Sequence, residues 1–396
     1  MYDYQLNQEY FAQIADDMTG MGCEELAALG AENVRPAYRG VHFNASHPVM
    51  YRINYESRFI TRVIAPLTTF VCKNADHIYR KGSDIEWRNF FSADHTFAVF
   101  ASVSNSTAVS HSEFAALRLK DAIADYFKNL SGSRPDVEKL NPDVWVNLHI
   151  DNNQAVIGID TSGGSLHRRG YRIQSVKAPI QETLAAAIIH LSGWNGERPL
   201  VDPMCGSGTL ITEALMHYCR IPAGILRKRF GFEFLPDYDR KTWKQVKNRA
   251  DQHIRGLPDG LIAASDISEK AVAATRENLR QLPYGERIPV LVTDFRRISK
   301  LERCMIVCNP PYGIRLDNPE ALELWYRQFG DFLKQKCAHS QAFVYAGNRD
   351  LISCIGLKPA FKLPLKNGGL DGRLLRYDIY PREESQTLTT QENESF

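Results

Sequence analysis

The sequence predicts an α/β protein built on an open, mostly parallel sheet and preceded by an α+β region. Three observations carry that prediction. Four short apolar runs stop at a polar residue, Asp202, Asp266, Asp294 and Asn309. Helical patterns lie between these runs where tight turns would otherwise be, as parallel strands require. Ahead of residue 165, strands alternate with helices, and one pair is separated only by Asp151-Asn152-Asn153, a short polar hairpin turn.

In chain order, residues 10–14 and 41–43 read as strands around a helix at 16–29. Gly20 and Gly22 weaken that helix by about 1 kcal/mol each relative to alanine. Next come an apparent helix at 68–79, a strand at 96–102, a helix at 113–127 and strands at 144–150 and 154–160. In the second half, a glycine-rich turn opens a helical pattern at Leu210. Ser268 caps a helix running to 280, with Glu269 in its first turn. Residues 361–369 and 374–380 read as two strands around a Gly-rich turn. A long insertion, 217–258, separates the first two core strands.

The buried run Met305–Cys308 and the following Asn309-Pro310-Pro311-Tyr312 carry the most chemistry. Proline fixes its own φ and restricts its predecessor, so the Asn309 and Pro310 carbonyls are held in an extended geometry. Such a turn presents acceptors and few donors. The Asn309 side-chain oxygen and the Pro310 carbonyl can together accept both hydrogens of a planar NH2 group, with the Tyr312 ring placed to stack on an aromatic base. Candidate catalytic residues are therefore Asn309, Pro310 and Tyr312.

Upstream, Asp202-Pro203-Met204-Cys205-Gly206-Ser207-Gly208-Thr209 is a strand-to-helix turn whose glycines let backbone approach a ligand closely. Ile211 stands where a dinucleotide fingerprint wants a third glycine, and no Gly-Lys-Ser/Thr is present. In an open α/β sheet the carboxyl edge binds ligands. Asp266 suits ribose hydroxyls and Asp294 an adenine amine, which leaves the glycine turn for the amino-acid part of S-adenosyl-L-methionine. Candidate cofactor residues are Asp202, Cys205, Gly206, Gly208, Thr209, Asp266, Asp294 and Asn309.

These two motifs together resemble those of the RlmL family of 23S rRNA guanine-N2 methyltransferases, and the likeness covers nearly the whole chain. Residues 177–186 resemble the family segment that packs beside the cofactor, and residues 163–172 resemble the end of its THUMP RNA-binding domain. The resemblance implies a Rossmann-like class I methyltransferase domain with a seven-stranded, mostly parallel sheet and a final antiparallel hairpin. It further implies a ferredoxin-like domain at 1–62, a THUMP domain at 63–165 and the methyltransferase domain at 166–382, while the polar composition of 383–396 predicts a disordered tail. Two departures stand out. Ala264-Ser265-Asp266 replaces the usual Gly-x-Asp, and the second methyltransferase half of the longest members is missing, so one modification is expected and not two.

The expected partner is RNA, either 23S rRNA or a large-subunit precursor. The NH2-accepting turn does not by itself separate guanine N2 from adenine N6. Adenine-N6 DNA methylation and guanine-N2 methylation of tRNA therefore remain as rivals, as does a non-catalytic ribosome-assembly factor. Candidate RNA contacts are Arg168, Arg169 and Arg172 around Tyr171, and the run Arg227, Lys228 and Arg229 in the insertion. The alternative is that the first group pairs with acids at a domain junction and that the insertion's charges form a solvated helical face.

Composition limits the remaining possibilities. Charged residues are 24% with a net charge of +2, so any nucleic-acid site is a local patch. No run reaches the roughly 18 apolar residues of a membrane span. The N-terminus lacks a signal-peptide layout, so a cytoplasmic location is expected. Eight scattered cysteines include no Cys-x-x-Cys pair, and eleven histidines show no ligand spacing near them, so no metal is expected.

Overall fold

The computed structural model describes residues 1–176, 179–311 and 319–381. These fall into two compact units. Met1–His167 with Ala223–Gln252 makes the first, and Arg168–Pro222 with the chain from His253 onward makes the second.

The first unit carries one seven-stranded sheet: β1 (Glu9–Gln13), β2 (Glu32–Ala37), β3 (Gly40–Asn44), β4 (Arg62–Val71), β5 (Phe97–Ser104), β6 (Val144–Asp151) and β7 (Gln154–Asp160), in the order β2-β3-β1-β4-β7-β6-β5. The joint is β4. Its first residues pair with β1 and its remainder with β7, so the sheet runs unbroken across the boundary expected at 62. The helix expected at 68–79 is corrected accordingly: Thr68–Val71 is strand, and a helix starts only at Ala75. Thr68, Thr69 and Val71 are β-branched and fit a pleat, while Pro66 sits at a register shift, where a strand tolerates proline.

Alternation on this sheet separates two faces. Val146, Leu148, Ile150, Ile157 and Ile159 are buried on one side. Phe11, His42 and His149 lie on the other, partly exposed. Gly22, in the helix Thr19–Ala28, has a packing role: a Cβ there would come within 2.3 Å of Ile14 Cδ1.

The segment 223–252 is the larger surprise, because the sequence places it inside the methyltransferase domain. It packs within the first unit. Phe232 lies 4.5 Å from Tyr51 and Trp243 lies 5.3 Å from Tyr55, ring to ring, against the helix His47–Glu56. Asp237 accepts from the Tyr4 hydroxyl at 2.8 Å and Gln5 Nε2 at 3.2 Å. The Gly231 backbone comes so near Asp160 that a Cβ would lie 1.9 Å from its carbonyl oxygen. Burial of its aromatic side chains decides where this segment sits, and that is invisible in linear order.

The second unit holds β8 (Leu200–Asp202), β9 (Ile262–Asp266), β10 (Val290–Val292), β11 (Met305–Cys308), β12 (Gln341–Ala346), β13 (Phe361–Asn367) and β14 (Leu370–Asp378). Their order is β10-β9-β8-β11-β12-β14-β13. Strands β8 to β12 are parallel, and β14 runs antiparallel to both its neighbours. The chain builds outward from β8 to β10 and then returns to place β11 on the other side of β8. The switch point therefore lies between the glycine turn and Asn309. Every residue of β11 is buried, which seats the following turn on a rigid strand.

Candidate functional site

A crevice of about 210 Å³ opens at that switch point. Its wall includes Asp202, Cys205, Gly206, Thr209, Asp266, Asp294, Asn309 and Pro310, so the four strand ends converge as the sequence reading expects. Gly208 lies just behind the wall. Tyr312 lies outside the described residues, as does the tail from 382 on.

The turn after β8 is held in place from both sides. Gly206 and Gly208 have φ of +58° and +81°, a region that other residues enter only with strain. A Cβ on Gly208 would also come 2.6 Å from Thr275 Cγ2. The Gly206 N–H donates to Asp266 Oδ2 at 2.9 Å, and the Gly206 carbonyl accepts from the Thr275 hydroxyl at 2.8 Å.

Asn278, one turn further along the helix Glu269–Leu279, is fully buried and uses its whole amide. Its Nδ2 donates to the carbonyls of Gln174 at 2.8 Å and Ser207 at 3.0 Å. Its Oδ1 accepts from the N–H groups of Ile173 and Gln174, each at 3.0 Å. Thr275 and Asn278, three residues apart and so on one helical face, thus hold the turn's carbonyls and keep the backbone cradle open.

Electrostatics differ among the acids. Burial, and then the charge of Asp266, push the Asp202 carboxyl well above the usual carboxylate range. Its Oδ1 accepts from the Met204 N–H at 3.0 Å. Asp294 is held low, chiefly by hydrogen bonding to Arg296, whose Nε lies 3.0 and 2.9 Å from its two oxygens. Cys205 is buried, and burial followed by Asp202 raises its thiol, which leaves no reactive thiolate.

Asn309 is the group without a partner. Its Oδ1 is buried and accepts no hydrogen bond among the described residues, although it faces the crevice beside Pro310. A buried acceptor left unpaired costs about 1–3 kcal/mol, so its retention points to a ligand donor. Trp325, Phe295 and Arg296 complete the wall and were not singled out from sequence. Trp325 follows an ordinary amphipathic pattern, and only the fold brings it to this edge.

The expected RNA contacts need correction. Arg169 is 1% exposed and pairs with buried Glu213. Arg172 donates to the Ile180 carbonyl at 2.8 Å and the Thr209 hydroxyl at 2.9 Å. Arg227 donates to the carbonyls of Ser162, Gly163 and Ser165 at 2.9, 3.1 and 3.1 Å. Arg169 is thus buried away from any phosphate, and Arg172 and Arg227 are half-buried with donors committed to neighbouring oxygens. Arg229 pairs with Asp143 at 2.6 Å, whereas Arg168 and Lys228 are exposed. A better basic surface lies on the helix Arg240–Gln252. There Arg240, Lys241 and Lys244 are exposed, lie on neighbouring turns and form no ion pair among the described residues.

Among the described residues no helix is long and apolar enough to cross a membrane, and no cluster of metal-ligating side chains occurs.

Comparison with known proteins adds the following. Residues 169–376 match the RMKL-like methyltransferase domain family, residues 72–160 the THUMP domain, and residues 9–64 the RlmL ferredoxin-like domain. A Synechocystis protein named as an RNA methyltransferase, slr0064, is 37% identical over 94% of this chain and 97% of its own length. The ribosomal RNA large subunit methyltransferase K/L of Vibrio parahaemolyticus is 35% identical over 96% of this chain. This chain covers 54% of that protein, about half its length. Among solved structures, the SMU.472 methyltransferase in complex with S-adenosylhomocysteine superposes with a TM-score of 0.79 at 26% identity, over 94% of this chain and 98% of that one. A methylase of Clostridium difficile 630 gives 0.80 at 28%, over 95% and 98%.

Proposed function

The chain belongs to the RMKL-like methyltransferase family, whose cofactor is S-adenosyl-L-methionine, and from that premise we propose that it methylates the exocyclic N2 amine of a guanine in 23S ribosomal RNA. The observation that carries methyl transfer to a base amine is the unpaired Asn309 Oδ1 beside Pro310, at the crevice lined by the glycine turn, and the choice of guanine in 23S rRNA rests on the family. S-adenosyl-L-methionine fits that crevice by its chemistry. The open backbone at Gly206 and Asp202 suits the amino-acid end, Asp266 the ribose, and Phe295 with Asp294 the adenine.

Bound there, the cofactor supplies an electrophilic methyl on a sulfonium centre. The chain's own residues supply position and polarity. A guanine amine is a poor nucleophile because its lone pair is delocalised into the ring. Asn309 Oδ1 and the Pro310 carbonyl accept its two N–H groups, which directs the lone pair at the methyl and favours the positive charge building on nitrogen. The cofactor, held by the glycine turn, Asp266 and Asp294, would supply the methyl and take back the bonding pair, while the acceptors at Asn309 and Pro310 hold the amine until its surplus proton is released to solvent. No histidine base is needed.

RNA as the substrate is supported by the THUMP match and by the names of the relatives. The exposed cations of the helix Arg240–Gln252 give such a substrate a phosphate-binding face. The test is methylation of large-subunit rRNA purified from a strain lacking the gene, with labelled cofactor and nucleoside mass spectrometry. N2-methylguanosine is the expected product; no label in the rRNA, with label in N6-methyladenine of genomic DNA from the same strain assayed in parallel, would overturn the assignment.

A further inference from the structure

A second cavity, of about 440 Å³, lies on the first unit's sheet, on the face opposite its buried aliphatic side. Asn147 on β6 forms part of its wall. It is 3% exposed, its Nδ2 is buried, and its amide makes no hydrogen bond among the described residues. A buried amide without a partner is costly unless something else binds to it.

The wall around Asn147 combines aromatic rings with three carboxylates, those of Asp3, Glu9 and Asp151. Phe11 lies 5.0 Å from the His42 ring and 6.5 Å from the His149 ring, and it is within 10° of parallel to the latter. Burial holds both histidines below their ordinary pKa, so each is uncharged at neutral pH. The carboxylates present are largely engaged. Glu9 pairs with Arg35 at 2.6 Å and faces His42 Nδ1 at 3.3 Å, and Asp151 accepts from Ser104, Asn105 and Asn152. No lysine or arginine lines the cavity, so it holds no phosphate.

Flat rings, an unpaired amide and carboxylate acceptors suited to a base's amino group, with no cation, match the base of a nucleotide whose phosphates stay outside. We propose that this cavity is a second RNA site, taking one unpaired nucleobase of the substrate against Phe11, with the Asn147 amide hydrogen-bonded to the base edge. It rests on the RNA reading above and adds to it a subsite on the N-terminal sheet, distinct from the methyl-transfer crevice.

The test uses the full chain and fluorescein-labelled 12-nucleotide single strands of A, C and U, with a duplex of equal length as control. Asn147→Leu and Phe11→Ala are each expected to weaken the best single strand about tenfold, in line with the roughly 1–3 kcal/mol of a stacked base. The slope of affinity against salt should not change, because no phosphate contact is lost. Calorimetry with S-adenosyl-L-methionine and thermal melting should match the wild type, and Asn147→Leu should melt no lower, since it removes an unpaired buried amide. Should either of those two variants prove unfolded, His149→Ala replaces it. Unchanged single-strand affinity in the folded variants overturns the subsite while leaving the methyltransferase reading intact. Wild-type protein that neither binds nor methylates RNA overturns both. A free mononucleoside binding as tightly as the oligomer overturns RNA as the occupant.

Discussion

Asn309, Asp202 and Asn278 divide the work at the residue scale. Asn309→Ala should keep cofactor binding by calorimetry yet lose roughly 100-fold or more in turnover, the size of effect seen when a positioned polar group is removed. A near-normal rate would remove the role given to its Oδ1. With the cofactor in the proposed placement, Asp202 should make its affinity depend on pH. Burial raises its pKa, so the protonated form persists above the usual carboxylate range, and only the ionised form attracts the cofactor's ammonium group. Affinity should therefore fall as pH falls through that raised value, and Asp202→Asn should bind weakly with no such dependence. Asn278→Ala leaves four backbone groups without their partner, and about tenfold weaker cofactor binding is expected from the roughly 1–3 kcal/mol that unsatisfied buried groups cost. Asn309 and Asp202 were legible because each sits in a motif at a strand end. Asn278 was not, since a polar residue in an amphipathic helix reads as solvent-facing, and only the packed structure shows that it is fully buried.

Legibility at the scale of elements follows the strength of the local pattern. The strands at 144–150 and 154–160 were readable because a polar turn and a two-residue period fix them together. The strand at β4 was misread, since Pro66 interrupts its pattern and a register shift, which sequence does not display, absorbs the proline. The insertion shows a different limit. Its aromatics Phe232 and Trp243 pack against Tyr51 and Tyr55, in the core of the first unit. Its basic face was visible only as charge, while Arg169, Arg172 and Arg227 proved to be engaged by neighbouring oxygens within the fold. The helix Arg240–Gln252 supports a quantitative prediction. Replacing Arg240, Lys241 and Lys244 together by Glu should weaken RNA binding and reduce the slope of log affinity against log salt by roughly 2 to 3, the share of three phosphate contacts. Cofactor affinity should be unchanged. An unaltered slope would show that this face does not meet phosphate.

The whole molecule places a methyl-transfer crevice in one unit and a seven-stranded sheet with its own cavity in the other. The family match gives the reaction class, the converging strand ends form the crevice proposed to perform it, and the THUMP match carries the case for RNA. Guanine N2 is the one element that the crevice geometry does not separate from adenine N6, because both bases present a flat NH2 to Asn309. The decisive measurement is therefore nucleoside mass spectrometry on large-subunit rRNA from a strain lacking the gene, complemented with either the wild-type chain or Asn309→Ala. The account predicts that N2-methylguanosine is lost on deletion, restored by the wild type and not restored by the variant. An unchanged N2-methylguanosine content, with loss of N6-methyladenine from DNA, would contradict it.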